Sequence, residues 1–160
     1  MREVHTGPMD DKLTVTRTIP VPAEKIFNLL TNPDTHQQFD GSGFIRSAEK
    51  PQRISATGDV FRMNMSGDHM GGDYQTDNTV SGFAANKLIA WKTAPADTDP
   101  PGWEWLYELT PNGHDSTDVA LTYDWSKVTD PALLQKIKFP LVSADQLDGS
   151  LAQLAAAVES

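Results

Sequence analysis

Segments of strand length in which apolar and polar residues alternate make up much of this chain. Successive side chains of a β-strand point to opposite faces, so the alternation predicts a sheet with one buried and one solvated face. The aromatic residues of WEWLYELT (103–110) lie at every second position and therefore on one face. Turn residues such as Asn112 and Gly113 separate the segments and favour antiparallel pairing. The predicted strands lie at 12–20, 44–50, 58–66, 71–83, 86–93, 103–110 and 117–128.

Helical signals flank these predicted strands. PAEKIFNLLTN (22–32) begins at a proline and places its isoleucine and leucine side chains on one face. PDTHQQFD (33–40) predicts one or two further helical turns, and TDPALLQKIKF (129–139) predicts a short helix. Because the strands are grouped and the helices lie towards the ends, the predicted fold class is α+β.

The last segment, SADQLDGSLAQLAAAVES (143–160), predicts a long amphipathic helix. Ser143 and Gln146 fit a capping box at its start. Gly149 inside a helix costs about 1 kcal/mol relative to alanine. Either a close approach to neighbouring atoms requires this glycine, or it is a harmless surface residue. The apolar stripe of this helix contains Leu147, Leu151, Leu154 and Val158.

The length and charge of the chain restrict its organisation and its partners. Its 160 residues favour one domain, which we place at 12–160 after a flexible tail at 1–11. A net charge of −9 without a lysine and arginine cluster is unsuited to nucleic acid, which is bound through its phosphates. No apolar run approaches about 18 residues, so no membrane span is predicted. The chain has no cysteine, which is compatible with a cytoplasmic location.

Three parts of the sequence together show a family resemblance: VTRTIPVPAEKIFNLLTNPDTHQQFDGSG, the pair NKLIAWKT and WEWLYELTPNGHDSTDVALTYDW, and the terminal helix. They resemble the START-like or SRPBCC superfamily and, within it, the polyketide cyclase/dehydrase and lipid-transport group. The resemblance covers roughly residues 12–158. It implies a helix-grip fold, in which a curled antiparallel sheet of about seven strands surrounds a long C-terminal helix and leaves an apolar cavity between them.

The alternation then gives a set of candidate residues for the cavity wall. Aromatic residues combine a large apolar surface with polar tips, and methionine adapts to varied ligands. For each residue taken alone, ordinary core packing is the competing interpretation, since small curled sheets fill their concave side with bulky side chains. The predicted ligand-binding residues are Phe61, Met63, Met65, Trp91, Trp103, Trp105, Tyr107, Tyr123, Trp125, Leu147 and Leu151.

Two histidines and two tyrosines are the candidates for proton transfer. His36 and His69 each have aspartates nearby in sequence, and Tyr107 and Tyr123 belong to the predicted cavity wall. A histidine is the usual acid or base near neutral pH. The competing interpretation, which we favour for both histidines, is an exposed loop position. No spacing matches a closed metal motif, so neither a metal nor a cofactor is predicted.

Three functions from different classes remain open. The first is binding or transport of a small hydrophobic ligand, lipid-like or polyketide-like, by a monomer or homodimer. The second is an aromatic polyketide cyclase or dehydratase that uses the same cavity, so whether the chain is an enzyme stays undecided. The third is a protein-binding module like the chaperone-ATPase activators of the superfamily, which would need an apolar patch on the outer face of the sheet.

Overall fold

The computed structural model describes residues 12–40, 44–49, 53–98, 100–136 and 143–159. The flexible tail predicted for residues 1–11 lies outside this part of the chain.

One seven-stranded sheet dominates the described structure, with the strand order β1-β7-β6-β5-β4-β3-β2. All neighbouring strands pair antiparallel, and β1 and β2 form the two edges. The predicted α+β helix-grip architecture is therefore confirmed. The strands are β1 (Lys12–Ile19), β2 (Ile45–Glu49), β3 (Val60–Gly67), β4 (Gly72–Ala84), β5 (Leu88–Pro95), β6 (Glu104–Pro111) and β7 (Thr117–Asp124).

Helices lie between β1 and β2 and after β7. They are α1 (Ala23–Leu30), α2 (Pro131–Lys136) and α3 (Ala144–Glu159), together with the 3₁₀ helices η1 (Pro33–Phe39) and η2 (Asp68–Met70). η1 confirms the extra helical turns predicted after α1. Helix α2 is shorter than the predicted 129–139, and residues 137–142 lie outside the described part of the chain.

Strand β5 extends two residues into a stretch that the sequence predicts as loop. Ala94 and Pro95 still pair with Asp77 and Thr76 of β4. Ala94 is almost fully buried, so an alanine among prolines and aspartates contributes to the core here. The loop prediction for this stretch, 94–102, was wrong at its start because sheet pairing continued past the end of the apolar pattern.

The register of the central strands brings aromatic side chains into one row. Trp91 on β5 is opposite Trp105 on β6, and Trp105 is opposite Tyr123 on β7. Buried residues alternate with partly exposed ones along β7, as the sequence pattern predicts. We call the face that carries this row the concave face and the other the convex face.

Helix α3 packs against β1, β7, η1 and α1. Its predicted capping box is confirmed: the Gln146 backbone N–H donates to Ser143 Oγ at 3.2 Å, and the Ser143 N–H donates to Gln146 Oε1 at 2.9 Å. Leu147, Leu151 and Leu154 are buried. An added Cβ at Gly149 would meet no atom within 4 Å, so no close approach requires this glycine.

At Gly102, in contrast, both the backbone conformation and a close contact require glycine. Its φ is +131°, and a Cβ at this position would lie 2.4 Å from the Lys127 carbonyl oxygen. Glycine therefore lets the chain before β6 run directly against the chain after β7. This contact holds the segments that carry Trp103 and Trp125, which are both buried.

Candidate functional site

Two parts of the concave face differ in what they bury. The apolar half is formed by β1 and β7 and carries buried Val15, Ile19, Val119 and Leu121 under α3. Among the described residues of these two strands, the buried side chains with a hydroxyl are Thr117 and Tyr123, and the Thr117 hydroxyl donates to the Val21 carbonyl at 2.9 Å.

The mixed half is formed by β3 to β6 together with η1, and it buries rings and polar groups side by side. Antiparallel pairing places Phe61 opposite Asn78 and Asn78 opposite Thr93, so these residues share one face. The buried residues that define the mixed half are His36, Phe39, Phe61, Thr76, Asn78, Trp91, Thr93 and Tyr107.

His36 enters the mixed half from η1 and is only 1% exposed. Its ring stacks on Trp91 with centroids 5.0 Å apart and meets the edge of Phe61 at 5.3 Å. The interpretation of His36 as an exposed loop residue was therefore wrong. The sequence pattern missed this burial because it predicted the helical turns of 33–40 without showing which of their side chains turn inwards.

The hydrogen bond of His36 fixes its tautomer. Nε2 lies 2.8 Å from the Leu30 carbonyl oxygen, which can only accept, so Nε2 carries the proton. Burial lowers the pKa of His36 to about 4, with the bond to Leu30 opposing this shift. The imidazole is therefore neutral near pH 7, and Nδ1 is an acceptor. A backbone carbonyl, not a neighbouring aspartate, orients the ring.

Tyr107 closes the ring cluster on the side of β6. It stacks on Trp91 with centroids 5.8 Å apart and meets Phe39 edge-on at 6.1 Å. Burial, and secondly the charge of Asp40, raise the pKa of Tyr107 well above its usual value. The same two causes raise the pKa of the half-buried Tyr74 to about 12. Both phenols therefore keep their protons, and Asp40 lies within electrostatic reach of both.

Thr76, Asn78 and Thr93 form a hydrogen-bonded group beside these rings. The Thr93 hydroxyl donates to Asn78 Oδ1 at 2.6 Å, and Asn78 Nδ2 donates to the Phe61 carbonyl at 3.2 Å and to Thr76 Oγ1 at 3.3 Å. Sequence analysis did not identify these three residues. Their period-two spacing along β4 and β5 could have shown them, but polar residues on a buried face look like residues of the solvated one.

A second ring cluster lies where β6 begins and β7 ends. Trp105 stacks on Tyr123 at 4.3 Å, and Tyr123 contacts Trp125 at 5.4 Å. Tyr123, Trp103 and Trp125 are buried, while Trp105 is half-buried. The structure thus divides the predicted aromatic set into two clusters, one around Trp91 and one around Tyr123.

The remaining predicted residues have separate positions. Met63 is buried on β3, and Leu147 and Leu151 are buried on α3. Met65 is half-buried and lines an open pocket of about 400 Å³. His69 lies in η2, and its side chain is outside the described part of the structure. The residues lining the pocket are Arg46, Asn64, Met65, Asp73, Tyr74 and Gln75.

Possible metal ligands and long apolar helices in the described ranges bear on metal and membrane binding. No group of three or more histidine, cysteine, aspartate or glutamate side chains there is arranged to hold a metal ion. Within the same ranges, no helix has the length and apolar character needed to cross a bilayer.

The sheet, the helices after β1 and the C-terminal helix define an SRPBCC-type helix-grip protein. Residues 20–159 match the family described as activator of Hsp90 ATPase homolog 1-like protein. The chain belongs to this family, which is part of the SRPBCC superfamily.

A curated relative is similar in sequence, and its name states no activity. The chain is 27% identical over 113 residues to the uncharacterized protein Rv0088 of Mycobacterium tuberculosis, a match that covers 69% of this chain and 47% of Rv0088. The chain thus spans about half the length of that curated relative.

Solved structures with low sequence identity share the fold. Protein Ms6760 of Mycobacterium smegmatis is 15% identical, with a TM-score of 0.69 over 99% of this chain and 97% of its own. Protein CV1439 of Chromobacterium violaceum is 16% identical, with a TM-score of 0.64 over 94% and 98%. The Aha1 dimer of Colwellia psychrerythraea is 19% identical, with a TM-score of 0.59 over 92% and 96%.

Proposed function

We propose that this protein binds a small hydrophobic ligand, lipid-like or polyketide-like, between the concave face and α3, with the mixed half as the recognising wall. The observation that carries the proposal is the burial of a hydrogen-bonded polar group, Thr76, Asn78 and Thr93, beside the rings around Trp91. Small-molecule sites are mostly apolar with a few convergent polar groups.

The ring contacts determine what kind of wall this would be. His36, Phe61 and Tyr107 all touch Trp91. Because all three contact the same indole, they would act as one continuous surface and not as separate subsites. Binding would be driven by apolar burial, at about 25 cal/mol per Å², and hydrogen bonds from the polar group would orient the ligand.

The first experiment is native mass spectrometry of freshly purified protein, followed by titration with planar hydrophobic probes such as 2-naphthol. The four tryptophans lie on or next to β5, β6 and β7, so their emission reports on the concave face. We expect a saturable change in tryptophan emission, and a several-fold weaker affinity for Trp91→Phe because the larger indole surface is lost.

The matched control is Lys92→Ala, the next residue on β5, whose side chain points to the convex face. It should bind the probe as the wild-type protein does. Absence of both a co-purified molecule and a saturable response across aromatic and lipid probes would refute the binding function.

Cyclase or dehydratase chemistry is the second candidate, because a histidine and a tyrosine contact the same indole. His36, with a pKa of about 4, is a weaker base than an ordinary histidine, and Tyr107 is a weaker acid than an ordinary tyrosine. Shape and positioning would have to supply most of the rate. Turnover of a poly-β-keto thioester that is lost in both His36→Gln and Tyr107→Phe would support this candidate over simple binding.

A chaperone-activating function receives less support from the convex face. This face carries an ion-pair cluster in which Arg62 contacts Asp77 and Asp97, each at 2.7 Å. Among the described residues, the only large hydrophobic side chain classed as exposed is Val60. A docking surface for another protein would be expected to show a larger apolar patch.

A further inference from the structure

The charges around the mixed half indicate which ligands it would accept. We propose that this site selects uncharged planar ligands and rejects the corresponding carboxylates. The inference deepens the proposed binding function and rests on it, since it names the chemical class of the ligand.

The first observation concerns the buried polar side chains. Of the described side chains that are buried, every polar one is uncharged near pH 7, and none is a lysine or an arginine. They are Thr31, His36, Thr76, Asn78, Thr93, Thr117 and Ser150, together with the phenols of Tyr107 and Tyr123. A ligand carboxylate that enters this region loses its hydration and finds no buried cation, which is strongly unfavourable.

The second observation is the position of Asp40. It directly follows Phe39, whose ring contacts both His36 and Tyr107. One of its carboxylate oxygens accepts the Ile45 backbone N–H at 2.7 Å, which ties it to the start of β2. Its negative charge also acts on the phenols of Tyr74 and Tyr107. An anionic ligand would meet this charge beside the ring cluster.

Apart from Arg62, which pairs with Asp77 and Asp97, the described arginines lie at three separate positions. Arg46 is exposed and lines the open pocket, which Asp73 also lines. Arg53 donates to the Asn28 carbonyl and to Thr31 Oγ1. Arg17 is exposed on the edge strand β1, where it is opposite Val119 of β7 in the apolar half. Because it lines the open pocket, Arg46 is the arginine on which an anion-binding alternative is tested.

The test compares 2-naphthol with 2-naphthoate, which share a ring system and differ in charge near neutral pH. We expect calorimetric titration to show at least tenfold weaker binding of the carboxylate by the wild-type protein. In Asp40→Asn we expect the ratio of the two affinities, 2-naphthol to 2-naphthoate, to fall about threefold. Asp115→Asn, at an exposed turn position, should leave the ratio unchanged.

The outcomes separate this inference from the function on which it rests. Equal or tighter binding of 2-naphthoate would overturn the charge selection while the binding function stands. If that binding is lost in Arg46→Gln, the anion occupies the open pocket. Binding of neither probe, nor of other hydrophobic probes, would overturn the binding function and the charge selection together.

Discussion

The apolar half and the mixed half of the concave face belong to one sheet but differ in the interactions that their buried side chains need. Under α3, Val15, Val119 and Leu121 need only shape complementarity with the leucines of the helix. In the mixed half, His36 and Asn78 are buried as well, and each needs a specific partner to offset its lost hydration. Packing alone is achieved at a lower desolvation cost by apolar side chains, as in the apolar half. We therefore place the ligand at the mixed half.

The largest effect, a loss of stability, should come from truncating a leucine that packs on the apolar half. Leu151 is 1% exposed on α3, so Leu151→Ala removes a packed side chain and leaves a cavity. Such substitutions cost about 2–5 kcal/mol. We expect urea denaturation to show a loss in this range, with the affinity for 2-naphthol in the folded protein nearly unchanged.

Gln153→Ala, at an exposed position two residues further along α3, is the matched control and should stay within about 0.5 kcal/mol of wild type. If Leu151→Ala abolished probe binding in protein that is still folded, the functional separation of the two halves would fail.

The buried histidine of the mixed half should make the free energy of unfolding depend on pH. The native pKa of His36 is about 4 against 6.5 in the unfolded chain, so between these values only the unfolded state takes up the proton. The free energy of unfolding should therefore be unaffected by this group above pH 6.5 and fall as the pH drops to 4. The contribution is about 3 kcal/mol over the whole window, with about 2 kcal/mol lost by pH 5.

His36→Gln removes this titration and should flatten the stability profile between pH 7 and 5. His114→Gln, at an exposed turn position, should reproduce the wild-type profile. Parallel profiles for wild type and His36→Gln would mean that the imidazole is not buried in the neutral form, and the mixed half would lose its defining residue.

Period-two alternation and the capping box were enough to predict the seven strands, the antiparallel sheet and α3, because those signals are local. The contacts of the mixed half were not predictable in the same way. His36 contacts Phe61 and Trp91 only when η1, β3 and β5 pack together in the folded chain. No local sequence pattern predicts such a tertiary contact. Asn78 shows the same limit, since its burial follows from the register of β4 between β3 and β5.

The smallest expected effect tests whether α3 has a role beyond packing. An added Cβ at Gly149 meets open space, so Gly149→Ala should raise the free energy of unfolding by up to about 1 kcal/mol through helix propensity alone. Ala156→Gly, at an exposed position of the same helix, should lower it by a similar amount. If Gly149→Ala stabilises the protein and leaves 2-naphthol affinity unchanged, the helix surface around residue 149 is not part of the ligand site. If the methyl group instead weakens probe binding, the part of α3 around residue 149 takes part in ligand recognition together with the mixed half.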